Sequence, residues 1–106
     1  MVLESKYGKL RKEDIPLIDS VTALFKTHNL RTGLHGTSLW NAKYKDVDLL
    51  VCSLQNDVHS FLTSLESLKK EHHAKILEQR GNEHIGLDYD ISIGGLILHV
   101  SYVVLL

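Results

Sequence analysis

Two stretches of the chain place apolar residues three and four positions apart, which is the spacing of one face of an α-helix. The first predicts a helix over residues 14–28, with Asp14 placed to cap it and Pro16 tolerated in the first turn. The second predicts a helix over about residues 56–70. Their apolar stripes are Leu17, Ile18, Val21, Leu24 and Phe25 in the first, and Val58, Phe61, Leu62, Leu65 and Leu68 in the second.

Other segments have the patterns of β-strands. Residues 31–35 are a short extended segment, and the apolar, β-branched run over residues 45–53 (KDVDLLVCS) predicts an inner strand. From about residue 74 the period becomes two, which predicts three strands over residues 74–81, 84–93 and 96–106. Gly94 and Gly95 join the last two strands as a two-residue turn, because glycine accepts positive φ at little cost.

The order of elements indicates the fold class. It is helix, strand, short helix, strand, helix and then three strands, which predicts an α/β (α+β) domain. We expect a mixed β-sheet flanked by helices, with a C-terminal β-hairpin. The chain has 106 residues, enough for one hydrophobic core, so residues 1–106 are expected to form a single domain.

Composition excludes several classes of function. The 12 Lys+Arg residues oppose 13 Asp+Glu, so the formal net charge of −1 gives no electrostatic case for broad binding to nucleic acid or to a membrane surface. No apolar run is long enough to span a membrane, and the N-terminal segment lacks the apolar region of a signal peptide. Cys52 is the one cysteine and has no internal disulfide partner. We therefore expect a cytoplasmic protein.

Two aspartates stand in the apolar strand over residues 45–53. Asp46 and Asp48 are two positions apart, so on a strand they point to the same face with Cα atoms about 6.5–7 Å apart. Carboxylates so close repel each other unless a cation lies between them, and Mg²⁺ or Mn²⁺ suits oxygen ligands. The pattern favours a metal site; the alternative is a pair of solvated acids at a strand end.

The segment ahead of these aspartates is suited to an anion. Gly36 allows a tight turn, Thr37 and Ser38 offer hydroxyl and amide groups, and residues 38–42 could begin a short helix with free N–H groups. A phosphate-binding turn before a metal-binding strand suits transfer of a nucleotidyl group from a nucleoside triphosphate, with two ions on the attacking and leaving oxygens. The alternative is a turn that only caps a helix.

The two-glycine turn also sets the register of the strands on either side of it. A two-residue loop pairs the residue before it with the residue after it, and counting outward gives the later pairs. The predicted pairs are Ile93 with Leu96, Asp90 with His99, and Asp88 with Ser101. Directly paired residues share one face of a sheet, so the four polar members are expected to form one patch.

The stretch GTSLWNAKYKDVDLL resembles a known family. Gly-Thr/Ser, a short helix and then Asp-apolar-Asp is similar to the nucleotidyltransferase fold of the DNA polymerase beta superfamily, and especially to its abortive-infection nucleotidyltransferase branch. The overall size is similar to the minimal nucleotidyltransferases of prokaryotes. The resemblance implies a triphosphate-binding turn at Gly36, Thr37 and Ser38, and catalytic metal ligands at Asp46 and Asp48.

The resemblance also implies a third carboxylate on a later strand, where this sequence has His99. We predict that Asp90, opposite His99, supplies this catalytic metal ligand, and that His99 accepts the proton of the attacking hydroxyl. Two alternatives stay open. Asp88 could take the place of Asp90, or the site lacks a third ligand and its catalysis is weak or lost.

The predicted reaction is an in-line attack by an acceptor hydroxyl on the α-phosphorus of a nucleoside triphosphate, with release of pyrophosphate. The resemblance implies a protein hydroxyl, an RNA 3′ end or a small molecule such as an antibiotic as acceptor, so nucleic acid enters only as an acceptor. In the minimal branch the partner is typically a small helical HEPN protein of a toxin–antitoxin pair. The alternative from another class is a catalytically degenerate binding module that keeps the fold.

Overall fold

The structure is a computed structural model that describes residues 8–36, 41, 43–55, 57–82 and 86–104. Its elements over these ranges are α1 (Ile15–Thr27), β1 (Arg31–His35), β2 (Asp46–Ser53), α2 (Val58–His72), β3 (Lys75–Asn82), β4 (Gly86–Ile93) and β5 (Leu96–Val104). The helices and strands predicted over these residues are therefore present, and the mixed α/β class is confirmed. None of the helices in the described ranges is long and apolar enough to cross a membrane.

The five strands form one mixed sheet in the order β1-β2-β5-β4-β3. β2 and β5 are parallel, and the other neighbouring strands are antiparallel. β2 is thus an inner strand, as its apolar sequence predicted. Gly94 and Gly95 have φ values of 54° and 79° and form the turn between β4 and β5, where Ile93 pairs with Leu96 in the predicted register.

Both helices pack on one face of the sheet. The ring of Phe61 in α2 stacks on Tyr102 of β5, with 4.7 Å between centroids, and lies 6.0 Å from Phe25 of α1 and 5.7 Å from Tyr89 of β4. Alternate residues of the inner strands complete this core: Val47, Leu49 and Val51; Leu87, Ile91 and Ile93; Leu98 and Val100. Side chains alternate along a strand, so the intervening residues lie on the opposite face, which neither α1 nor α2 covers.

The apolar stripe predicted for the second helix is wrong at one position. Leu62 is 38% exposed, whereas Ser64 is fully buried. Because Phe61 and Leu65 point at the sheet, the core-facing side of α2 passes through Ser64 and leaves Leu62 at its edge. The Ser64 hydroxyl donates a hydrogen bond to the carbonyl of Ser60 (2.8 Å), which satisfies the buried polar group.

Asp14 does not cap α1 with its side chain, contrary to the prediction. Its carboxylate instead accepts hydrogen bonds from the Tyr44 hydroxyl and from Nε of Arg11, the latter at 3.2 Å. The Arg11 guanidinium also lies 4.2 Å from the centroid of the buried Tyr44 ring, and burial raises the pKa of the Tyr44 phenol. This cluster holds the backbone two residues before Asp46.

Candidate active site on the open face of the sheet

A row of ionisable side chains crosses the face of the sheet that the helices leave open. The register pairs Asp48 of β2 with His35 of β1 on one side and with His99 of β5 on the other. His99 in turn pairs with Asp90 of β4, as predicted, and Asp90 pairs with Glu78 of β3. Since paired residues share a face, strand pairing brings together residues that are far apart in the sequence.

Asp46 and Asp48 point to this open face. They alternate along β2 with Val47 and Leu49, both of which are fully buried in the core. Both aspartates are half-buried, and the Asp48 side chain is 20% exposed. The predicted common face of the two carboxylates is therefore present, at the start of β2.

The imidazole of His99 lies between the carboxylates of β2 and β4. Its Nδ1 is 3.6 Å from Oδ1 of Asp48 and 3.8 Å from Oδ1 of Asp90. Its Nε2 is 3.4 Å from Oδ1 of Asp88. The predicted polar patch of Asp88, Asp90, His99 and Ser101 thus exists, and it continues into the Asp46 and Asp48 strand.

Each carboxylate of β4 has a hydrogen-bond donor from a neighbouring strand. The Ser101 hydroxyl donates to Asp88 at 2.5 Å, which lowers the pKa of Asp88 from its ordinary value, with a smaller contribution from His99. Arg80 donates to both oxygens of Asp90, at 3.2 and 3.1 Å, and this pairing raises the pKa of the guanidinium. Arg80 was not among the predicted site residues.

No group of three or more His, Cys, Asp or Glu side chains within the described ranges is placed to hold one metal ion. Asp90 does not join Asp46 and Asp48 in a single cluster, because β5 runs between β4 and β2. That Asp90 is a metal ligand stays a prediction. Mg²⁺ on a triphosphate needs only one or two protein carboxylates, and Asp46 with Asp48 fits that requirement.

Gly36 lies directly against Asp48. Its φ is +78°, a conformation that favours glycine, and a Cβ at this position would overlap Oδ2 of Asp48 and lie 2.9 Å from its Cγ. The start of the predicted phosphate-binding turn is thus in contact with a predicted metal ligand. Thr37 and Ser38 lie outside the described residues, as does most of the short helix predicted over residues 38–42.

Gly36→Ala is expected to displace the Asp48 carboxylate and to strain the backbone. The left-handed conformation costs a residue with a Cβ about 1–2 kcal/mol, so the free energy of unfolding should fall by about that amount, and nucleotide binding should weaken. Gly33→Ala, within β1, is the matched control, since a Cβ there has no atom within 4 Å. Urea unfolding measures both variants, and an equal effect at Gly33 and Gly36 would contradict the contact with Asp48.

The architecture is that of a nucleotidyltransferase-like fold. The solved structure of a cytoplasmic RNA terminal U-transferase covers 89% of this chain with a TM-score of 0.61 and 17% sequence identity. The match spans 32% of the length of that chain. No protein-family model and no curated protein matches the sequence. The likeness establishes the fold, and the resemblance to the abortive-infection and minimal branches stays a prediction.

Proposed function

We propose that the protein is a metal-dependent nucleotidyltransferase that moves a nucleoside monophosphate from a nucleoside triphosphate to an acceptor hydroxyl. One observation carries the proposal. In a sheet of nucleotidyltransferase-like topology, Asp46 and Asp48 share the open face, and His99 lies beside Asp48 on the adjacent strand. Transfer from a metal-bound triphosphate requires carboxylates that bind the metal and a group that accepts the proton of the attacking hydroxyl.

In this proposal, Asp46 and Asp48 hold the metal-bound triphosphate at the start of β2. Bound Mg²⁺ (or Mn²⁺) would neutralise phosphate charge that develops during transfer. Gly36, Thr37 and Ser38 are proposed to bind the phosphates through backbone N–H groups and hydroxyls. The contact between Gly36 and Asp48 supports this arrangement, because it puts the turn and the carboxylate side by side.

His99 is proposed to accept the proton of the attacking hydroxyl. The hydroxyl oxygen bonds to the α-phosphorus, the bond from that phosphorus to the bridging oxygen of pyrophosphate breaks, and the hydroxyl proton passes to Nδ1 of His99. The carboxylates of Asp48 and Asp90 lie 3.6 and 3.8 Å from Nδ1 and would stabilise the resulting imidazolium. Asp90, held in place by Arg80, would thereby orient and charge-balance the base.

The acceptor hydroxyl is to be identified by testing several classes of acceptor. The similar solved structure is an RNA terminal U-transferase, so UTP with an RNA 3′ end is the first pair to test. A protein hydroxyl and an antibiotic are the next acceptors. A small helical partner of the toxin–antitoxin kind, co-expressed in the cytoplasm of a prokaryote, would be examined by mass spectrometry for an added nucleotide.

A second candidate function is a binding module that holds a nucleotide without turning it over. Asp90 favours this candidate, because its two oxygens are bound by Arg80 and it is separated from Asp46 and Asp48 by β5. The two candidates share a nucleotide site and differ in turnover. Binding without incorporation of label into any acceptor would favour the module.

Thermal melting with ATP, CTP, GTP and UTP, each with and without Mg²⁺, tests the nucleotide site itself. A ligand at 100 times its Kd stabilises the folded state by about 2.7 kcal/mol, and each kcal/mol raises the Tm of a domain near this size by about 4–8 °C. We expect a rise for at least one triphosphate, dependent on Mg²⁺ and lost in Asp46→Asn. The absence of a rise with all four would contradict both candidate functions.

A further inference from the structure

We infer that this site takes one divalent cation, the one carried on the triphosphate, and that His99 occupies the place in which a second cation would bind. The inference rests on the proposed function and specifies it further. Two-metal sites need carboxylate oxygens that reach both ions, which lie about 3.5–4 Å apart. The described strands paired with β2 place no carboxylate beside Asp46 or Asp48 that could bind a second ion.

Among the described residues, those paired with the two aspartates are not carboxylates. Asp48 is flanked by His35 on β1 and by His99 on β5, and Asp46 is flanked on β5 by the aliphatic Ile97. Mg²⁺ demands a near-octahedral shell of oxygens, whereas imidazole suits zinc, copper, iron and nickel. Within the described part of the chain, a second magnesium ion in contact with Asp46 or Asp48 therefore meets no further oxygen from a side chain paired with either.

The carboxylates one strand further along are already engaged. Both oxygens of Asp90 accept hydrogen bonds from Arg80, and Oδ1 of Asp88 accepts from Ser101. A bidentate guanidinium–carboxylate pair is among the stronger polar contacts, so withdrawing Asp90 from it is unfavourable. Arg80 also pairs with Glu78, so the guanidinium links carboxylates of β3 and β4 at this end of the row.

The imidazole of His99 takes up the space between the carboxylates of β2 and β4. Its two nitrogens lie 3.4 to 3.8 Å from oxygens of Asp48, Asp88 and Asp90, so the ring fills the space between the strands on either side. A carboxylate at this one position would face Asp48 directly across the parallel pair. We therefore assign to the His99 side chain the binding of one ion instead of two.

Equilibrium dialysis of the purified full chain tests the inference by stoichiometry. The chain is dialysed against Mn²⁺, which shares the oxygen preference of Mg²⁺, together with the non-transferable α,β-methylene analogues of UTP or ATP. Bound Mn²⁺ and bound nucleotide are counted separately. We expect one Mn²⁺ per bound nucleotide in the wild type, and a twofold rise to two per nucleotide in His99→Asp.

Two further variants serve as controls. Ser92→Asp adds a carboxylate on β4, opposite Ile97 and one strand removed from Asp46, and its ratio is expected to stay at one. His99→Asn removes the imidazole without supplying a carboxylate, and its ratio is also expected to stay at one. Circular dichroism and thermal melting establish that each variant is folded before ions are counted.

The outcomes separate this inference from the proposed function. Two Mn²⁺ per nucleotide in the wild type would overturn the inference and leave the proposed function standing. A ratio of one in folded His99→Asp that still binds nucleotide would overturn the role given to His99. Retention of neither nucleotide nor Mn²⁺ by the wild type would contradict the proposed function itself, and the inference would fall with it.

Discussion

Asp48→Asn is expected to reduce metal-dependent nucleotide transfer by at least about 100-fold, since loss even of a residue that only supports a metal ligand costs about 10–100-fold. The substitution preserves shape but removes the charge proposed to hold the metal-bound triphosphate, together with the negative partner of His99 Nδ1. Fold stability should not fall, because it also removes the repulsion between Asp46 and Asp48. Transfer of label from an α-³²P triphosphate, with whichever acceptor the wild type uses, measures the effect.

Asp57→Asn is the matched control for this prediction. It makes the same chemical change at the beginning of α2, where Asp57 caps the helix by accepting a hydrogen bond from the Ser60 N–H. Asparagine caps helices as well as aspartate does, so both stability and transfer should be retained. A wild-type transfer rate in Asp48→Asn, or an equal loss of rate in both variants, would contradict a role for Asp48 in the proposed site.

Phe61→Ala is expected to lower the free energy of unfolding by about 3–5 kcal/mol, the usual cost of truncating a buried aromatic residue to alanine. The reason is its position, since its ring packs against α1, β4 and β5 together. A domain of ordinary stability has about 5–15 kcal/mol in total, so the variant should be marginally folded. Urea unfolding followed by circular dichroism measures the change as a fall in the midpoint.

Leu62→Ala provides the comparison for this second prediction. The two residues are adjacent in α2, but Leu62 is 38% exposed and Phe61 is fully buried. Its truncation should cost less than about 1 kcal/mol, because little apolar surface is removed from the core. Similar costs at both positions would contradict the packing described for α2.

The elements could be predicted because each is encoded by local spacing. The 3.6-residue period marks α1, and the alternation after residue 74 marks β3, β4 and β5. Pairing across the Gly94–Gly95 turn also followed from the sequence, since a two-residue loop permits one register. The pair of Asp90 with His99 could thus be predicted by counting outward from this turn.

The remainder of the site depends on contacts that local spacing does not encode. The parallel pairing of β2 with β5 sets Asp48 beside His99, and nothing between these residues specifies that register. Arg80 reaches Asp90 through the β3–β4 pairing, which contains an irregularity between Ile76 and Glu78. The sequence has no two-glycine pair between β3 and β4 from which to count, so the register of the strand carrying Arg80 could not be predicted.

The exposure of Leu62 and the hydrogen bonds of Asp14 could not be predicted from the sequence for a related reason. A helical period identifies apolar positions but not the angle at which the helix meets the sheet, and that angle leaves Leu62 at the edge of the core. Asp14 has the residue type and position of a helix cap, yet Tyr44 and Arg11 compete for its carboxylate. Tertiary partners decide such cases over local preference.

The central place of β5 has a consequence for how the protein is made. Without β5, the described strands would form two separate antiparallel pairs, β1–β2 and β3–β4, each with an unpaired inner edge. Such edges invite pairing with other chains during synthesis. The entry of β5 closes both edges, delivers Tyr102 to Phe61 and delivers His99 to Asp48. One strand therefore both covers the two inner edges and completes the row of ionisable side chains.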